Sequence, residues 1–94
     1  LESNKIQETA YANLQIGRIL VTQKNPDALI YLEKAYRELK DDPKLIYLLS
    51  LMYIMNNDFS KAETLVNDFI RLKGEGDPQS KQLIALYEKQ FGKK

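Results

Sequence analysis

Residues 43–76 read PKLIYLLSLMYIMNNDFSKAETLVNDFIRLKGEG, and this stretch decides the fold. It is entered through Asp42-Pro43. An Asp accepts hydrogen bonds from the orphan amides of a helix's first turn, and proline fits the next position, where its missing N–H costs nothing. From Pro43 to Asn56 the chain is apolar at almost every position, with Leu45, Ile46, Tyr47, Leu48, Leu49, Leu51, Met52, Tyr53, Ile54 and Met55 interrupted only by Ser50. Asn57-Asp58 then marks a turn and a second start, with Ser60 and Glu63 at capping-box spacing just after it. From Phe59 to Lys73 the apolar residues Ala62, Leu65, Val66, Phe69 and Leu72 recur three and four apart, which is the period of a helix. Gly74 and Gly76 supply the stop. The stretch predicts two helices joined by a short turn.

The same punctuation recurs on either side. Asn25-Pro26 and Asp77-Pro78 are the two other Asn/Asp-Pro pairs, and each predicts a helix start. A first helix is expected over about residues 4–23, with Ile6, Ala10, Ile16 and Leu20 apolar. A second is expected over about 26–40, with Ala28, Leu32, Ala35 and Leu39 on one stripe. A fifth is expected over about 78–91, with Leu83, Ile84, Tyr87 and Phe91. No segment sustains a period of two, and no Asn-Gly or Asp-Gly hairpin turn occurs. Short connections favour antiparallel neighbours. The expectation is an all-α fold of five antiparallel helices in one domain spanning residues 1–94.

The two halves also repeat. Ala28 recurs as Ala62, Leu32 as Val66 and Ala35 as Phe69, all at one common spacing. Gly17 recurs as Ser50 and Leu20 as Tyr53 one position closer, and Pro43 as Pro78 one position further. A period of about 34 residues built from two helices resembles the tetratricopeptide repeat family. Unit two, residues 43–76, carries the likeness through Ile46, Leu49, Ser50, Tyr53, Asn57-Asp58-Phe59, Ala62 and Val66. Unit one, about residues 10–42, carries it through Ile16-Gly17, Leu20, Ala28, Leu32 and Ala35. Unit one departs at Asn13, where the family places a bulky aromatic residue, and its turn is one residue short. In unit two Phe69 stands in place of a small residue. The resemblance implies a right-handed α-α superhelix, with the last helix, about residues 78–91, as its cap. Small residues at Gly17, Ser50, Ala28 and Ala62 let helices approach closely. One hairpin cannot bury its own apolar face, so neighbours stack.

Composition narrows the function. Fourteen Lys and Arg against thirteen Asp and Glu leave a net charge of +1, so no basic excess calls for nucleic acid. There is no Cys and no His, which removes thiolate chemistry, the commonest general base and the commonest metal ligands. The run Leu45 to Met55 is too short to span a membrane. Asp41-Asp42, Asp58 and Gly74-Glu75-Gly76 read as linker, cap and stop. No spacing sets a nucleophile beside a base, so neither an enzyme nor a cofactor or metal site is expected. The start at Leu1 is what a fragment or processed product presents, and the lack of Cys accords with a reducing compartment such as the cytoplasm.

Binding is therefore the expected role. The resemblance implies a concave wall made by the first helix of each unit. Aligned, it holds Tyr11, Leu14, Arg18 and Val21, with Thr22, in unit one, and Lys44, Tyr47, Leu51, Ile54 and Met55 in unit two. The family's charge clamp for a peptide carboxylate is not reproduced, because Leu14, Arg18, Tyr47 and Leu51 stand at those places. Tyr47, Leu51 and Ile54, with Leu14 and Val21 beside them, are expected to form an exposed apolar strip, which marks a partner site suited to a helical or extended apolar segment of another protein. The other expected roles are a structural assembly or homodimer contact and a module similar to the mitochondrial fission adaptors, which also pair two such repeats.

Overall fold

The computed structural model describes the backbone of residues 2–92 and the side chains of residues 8–92; Ile6 lies outside the described side chains. Five helices follow one another, and no strand occurs among the described residues: α1 (Glu2–Thr22), α2 (Ala28–Tyr36), α3 (Pro43–Met55), α4 (Phe59–Lys73) and α5 (Pro78–Phe91). α1 packs along α2 and α3 along α4, while α5 closes against α4 and α3. α3 touches all four other helices. That position accounts for its nearly continuous apolar sequence: Leu45, Ile46, Leu49, Met52, Tyr53 and Ile54 are all buried in a single core.

Three helix starts are built as the sequence expects. The carboxylates of Asp42, Asp58 and Asp77 accept from the amides of Lys44, Lys61 and Gln79. The start of α2 is different. Asn25 Oδ1 accepts from the Asp27 amide, and the amides of Ala28, Leu29 and Ile30 each reach back by three positions, to the carbonyls of Asn25, Pro26 and Asp27. This tight first turn takes up the one position by which the first connection is shorter than the second. α2 therefore runs Ala28–Tyr36 instead of 26–40. Beyond Tyr36 the amides of Glu38 and Leu39 converge on the Ala35 carbonyl, and the chain leaves as turns.

α1 and α3 end in the same way. Lys24 and Asn57, at equivalent positions of the two units, hold φ of 59° and 62°. Around Lys24 the Asn25 amide donates to the Leu20 carbonyl at 2.8 Å and the Lys24 amide to Val21 at 2.9 Å. Around Asn57 the Asp58 amide donates to Tyr53 at 2.9 Å and the Asn57 amide to Ile54 at 3.1 Å. This is the Schellman ending, whose left-handed residue is favoured as Gly or Asn. Lysine at that position carries the Cβ penalty of the left-handed region.

Inside the first hairpin, a Cβ on Gly17 would lie 2.6 Å from Leu32 Cδ2 and 2.7 Å from Leu32 Cγ. Only glycine lets α1 and α2 approach this closely. The equivalent positions of the second hairpin carry Ser50, buried with its hydroxyl donating to the Ile46 carbonyl, and Val66. The larger residue on one helix accompanies the smaller on its partner. Phe69, in place of Ala35, follows another rule. Its buried ring meets Tyr47 at a centroid distance of 5.6 Å, so two rings fill the layer that Leu14 and Ala35 fill in the first hairpin.

α5 is fastened by Phe59, Tyr87 and Phe91, whose rings lie 5.2–5.8 Å apart. Gln90 also donates to the Asn57 side chain. Leu83 faces inward, while Lys81, Gln82, Glu88 and Lys89 are exposed.

Two stability outcomes follow from this packing. Gly17→Ser should destabilise by about 1–3 kcal/mol through overpacking. Combining it with Leu32→Val should restore much of that loss, which a double-mutant cycle in urea reads as a favourable coupling. Lys24→Gly should stabilise by about 0.5–1 kcal/mol by relieving the left-handed backbone. The midpoint of thermal unfolding should then rise by several degrees.

Candidate functional site

Helical period sets the candidate face. Tyr11, Gln15, Arg18 and Thr22 stand four, three and four positions apart, on one side of α1. All four are exposed. Arg18 donates to the Gln15 side chain at 2.8 Å, and the Thr22 hydroxyl donates to the Arg18 carbonyl at 3.1 Å. Their equivalents in the second unit, on the register that superposes Lys24 on Asn57, are Lys44, Leu48, Leu51 and Met55. Lys44 and Met55 are exposed, and Leu48 and Leu51 are half-buried. Tyr11 at 50% and Met55 at 60% are the two large apolar side chains this face gives to solvent.

A cleft of about 440 Å³ joins the helices at the Tyr11 end. Tyr11, Leu14 and Gln15 from α1, Asp42, Pro43 and Lys44 at the start of α3, Lys73 at the end of α4 and Gln79 at the start of α5 line it. A second hollow of about 610 Å³ shares Tyr11, Asp42 and Pro43 and runs along residues 37–41. Lys73 Nζ sits 3.9 Å from the Asp77 carboxylate. The Asp42 carboxylate is occupied by the Lys44 amide. The cleft thus offers a tyrosine ring, two amide side chains and two ammonium groups together.

The structure corrects the expected wall. Leu14 and Ile54 are 4% and 5% exposed and belong to the core. Tyr47 is half-buried against Phe69, and Val21 is half-buried against the core. These four occupy equivalent positions, Leu14 with Tyr47 and Val21 with Ile54, on the side of each helix that meets the rest of the stack. The strip of Tyr47, Leu51 and Ile54 as an open apolar trough is therefore not formed. Tyr11, Arg18, Lys44 and Met55 remain exposed, and Leu51 is half-buried. The cleft brings Tyr11, Leu14 and Lys44 together. Sequence reasoning missed Gln15, Leu48, Lys73 and Gln79. The four-three-four spacing from Tyr11, carried over to the second unit, is the signal that finds the first two. Lys73 and Gln79 come from other helices and leave none.

On the opposite side, Tyr36, Leu49, Tyr53, Ser60, Lys61, Thr64 and Leu65 line a hollow of about 330 Å³ between α2, α3 and α4. The Tyr53 hydroxyl donates to Glu33 Oε2 at 2.5 Å, and Lys61 Nζ lies 5.5 Å from the Tyr53 ring. Burial, then the hydrogen bond to Glu33 and its charge, push the Tyr53 hydroxyl well above the usual tyrosine range. Burial also raises Tyr36, Tyr47 and Tyr87. Among the described residues no group of three or more acidic, His or Cys side chains is placed to hold a metal ion, and no helix is long and apolar enough to cross a membrane.

No family model, curated protein or solved structure matches the chain.

The raised hydroxyls fix the sign of a pH effect. Below the unfolded tyrosine value of about 10 both states are protonated and stability is unaffected. Above it the unfolded chain releases protons that the folded chain keeps, so stability falls as pH rises further. Urea midpoints should fall above about pH 10. Tyr53→Phe should make that fall shallower, as read by denaturation at pH 9, 10 and 11.

Proposed function

We propose that the chain is a short tetratricopeptide-like array that docks a segment of another protein and performs no chemistry itself. Support for the family reading comes from two hairpins with the same left-handed closure, at Lys24 and Asn57. It also comes from α3 touching both α1 and α5. The docking surface is the face of Tyr11, Gln15, Arg18 and Thr22 on α1 and Lys44, Leu48, Leu51 and Met55 on α3. The observation that carries the reading is exposed Tyr11 at the cleft where α1 meets the starts of α3 and α5 and the end of α4, with exposed Met55 on the same face at the far end of α3. Tyrosine and methionine suit such a role. One presents a ring with a polar tip, and the other adapts its shape to the ligand.

The ligand is an extended or helical segment with a few apolar anchors. The face is mixed, and a mixed face recognises by placing polar groups around a small apolar contact. The helices are already packed before the ligand arrives, so the ordering cost falls on the ligand.

Tyr11→Ala with Met55→Glu should lower affinity for a captured partner segment at least tenfold, about 1.4 kcal/mol. Both residues are at least half exposed, so the urea midpoint should hold. Unchanged affinity in the double variant, with folding intact, would remove this face from the docking role.

A further inference from the structure

The groove between α4 and α5 joins two kinds of surface. Its floor is apolar, made by Val66 and Ile70 of α4 and Ile84 of α5. Its rim carries Glu63, Tyr87 and Glu88, and Asn67 completes the lining. The hollow measures about 200 Å³. That is below the roughly 300–1,000 Å³ of small-molecule sites, so it suits one side chain. Phe59 at the start of α4 meets Phe91 at the end of α5. The two helices therefore run antiparallel, and Glu63 stands at the Tyr87–Glu88 end of the groove. After burial, the charge of Glu63 is what raises the Tyr87 hydroxyl, in accord with that placement.

Neither carboxylate is answered by the chain. No Lys or Arg lines the groove. The residues three and four positions from Glu63 are Phe59, Ser60, Val66 and Asn67, and those around Glu88 are Ile84, Ala85, Phe91 and Gly92. Neither glutamate thus has a helical ion pair on its own helix, whereas Asp68 and Asp77 are paired with Arg71 and Lys73. The nearest lysines in sequence are turned elsewhere. Lys61 lies over the Tyr53 ring, and Lys89 stands about 100° around α5 from Glu88. Among the described residues no third acidic, His or Cys side chain joins the pair to hold a metal ion. A further helix of the same stack would not suit the groove either. In α2 the equivalent of Glu63 is Leu29, which packs against the core, and covering Glu63 with apolar residues would strip its carboxylate of water without a partner.

We infer that this groove takes a lysine or arginine side chain presented by a segment of another protein. The aliphatic stem lies on Ile70 and Ile84, and the charged end sits between Glu63 and Glu88. Long basic side chains are built for such a place, with an apolar body and a charged tip. Charge complementarity selects this occupant: an apolar anchor would desolvate two carboxylates without compensation, and an acidic one would be repelled. The groove shares no residue with the Tyr11–Met55 face, so the two surfaces are tested apart.

The probe is a synthetic peptide, acetylated and amidated so that its ends are uncharged, with one lysine flanked by leucines. Titrated into the isotope-labelled chain, it should move the amide resonances of residues 63–70 and 84–88 saturably. Replacing its lysine by norleucine, which keeps the stem and removes the charge, should weaken binding about tenfold or more. Glu63→Gln/Glu88→Gln in the protein should do the same, and Tyr11→Ala/Met55→Glu should leave affinity unchanged. Added salt should weaken binding, because the charged end stays near solvent. Both glutamates are exposed, so the double variant should keep its fold, which circular dichroism checks; Glu88→Gln alone is the milder change. Absence of saturable shifts in the groove overturns the inference, as does equal binding of the norleucine peptide or of the folded glutamine variants. Equal affinity for n-butylammonium would assign the groove to a free amine and overturn it. Sedimentation showing self-association that Glu63→Gln/Glu88→Gln abolishes would assign it to a second copy and overturn it too.

Discussion

The fold depends on the enclosure of α3. Every other helix touches it, so its two flanks and its underside are all interior. A helix that is apolar nearly all round is stable only where it is surrounded. Here four neighbours surround it. The one polar side chain in its buried surface, Ser50, is tolerated because its hydroxyl bonds to the Ile46 carbonyl one turn back. That bond leaves no unmet polar group, and the small side chain leaves room for α4. Of the remaining helices, α4 packs chiefly on α3 and α1 chiefly on α2.

This enclosure explains what was legible in the sequence and what was not. Caps are local chemistry: an Asp followed by its own helix amides can be read without knowing the rest of the molecule. Asp42, Asp58 and Asp77 accordingly mark the starts of α3, α4 and α5. The ends of α2 were less legible, because Asn25 and Pro26 lead into a tight turn and two amides share the carbonyl of Ala35. The binding face was the least legible. Exposure depends on which neighbour stands opposite, and in a helix one step along the chain is a rotation of about 100°. Leu14 and Ile54 are as apolar as a groove residue needs to be, yet they point into the stack. Gln15 and Leu48 lie one step around and share the face of Tyr11 and Met55.

The two hairpins also show how one backbone accepts different contents. Gly17 stands where the second hairpin has Ser50, and Leu32 where it has Val66. Size is exchanged between facing helices and the volume between them changes little, which is the kind of change that cores tolerate best. Phe69 and Tyr47 are both larger than Ala35 and Leu14, so that layer is filled differently, by two tilted rings in contact. Lys24 and Asn57 differ in another way. The backbone demands the same φ of both, and only one of the two residue types suits it. The closure is thus set by the carbonyls it satisfies, and the residue occupying it adjusts the stability of the hairpin without altering its path.

The outer sides of α1 and α5 are not equivalent. α5 has Leu83 turned inward and a charged outer side. α1 has two isoleucines half in water. Along α1 the polar-ringed Tyr11 face and the Ile16–Ile19 face are separated by a single step of the helix, roughly 100°. A rigid helix can therefore present two distinct surfaces without coupling them. A substitution on one side alters neither the backbone nor the packing that shapes the other.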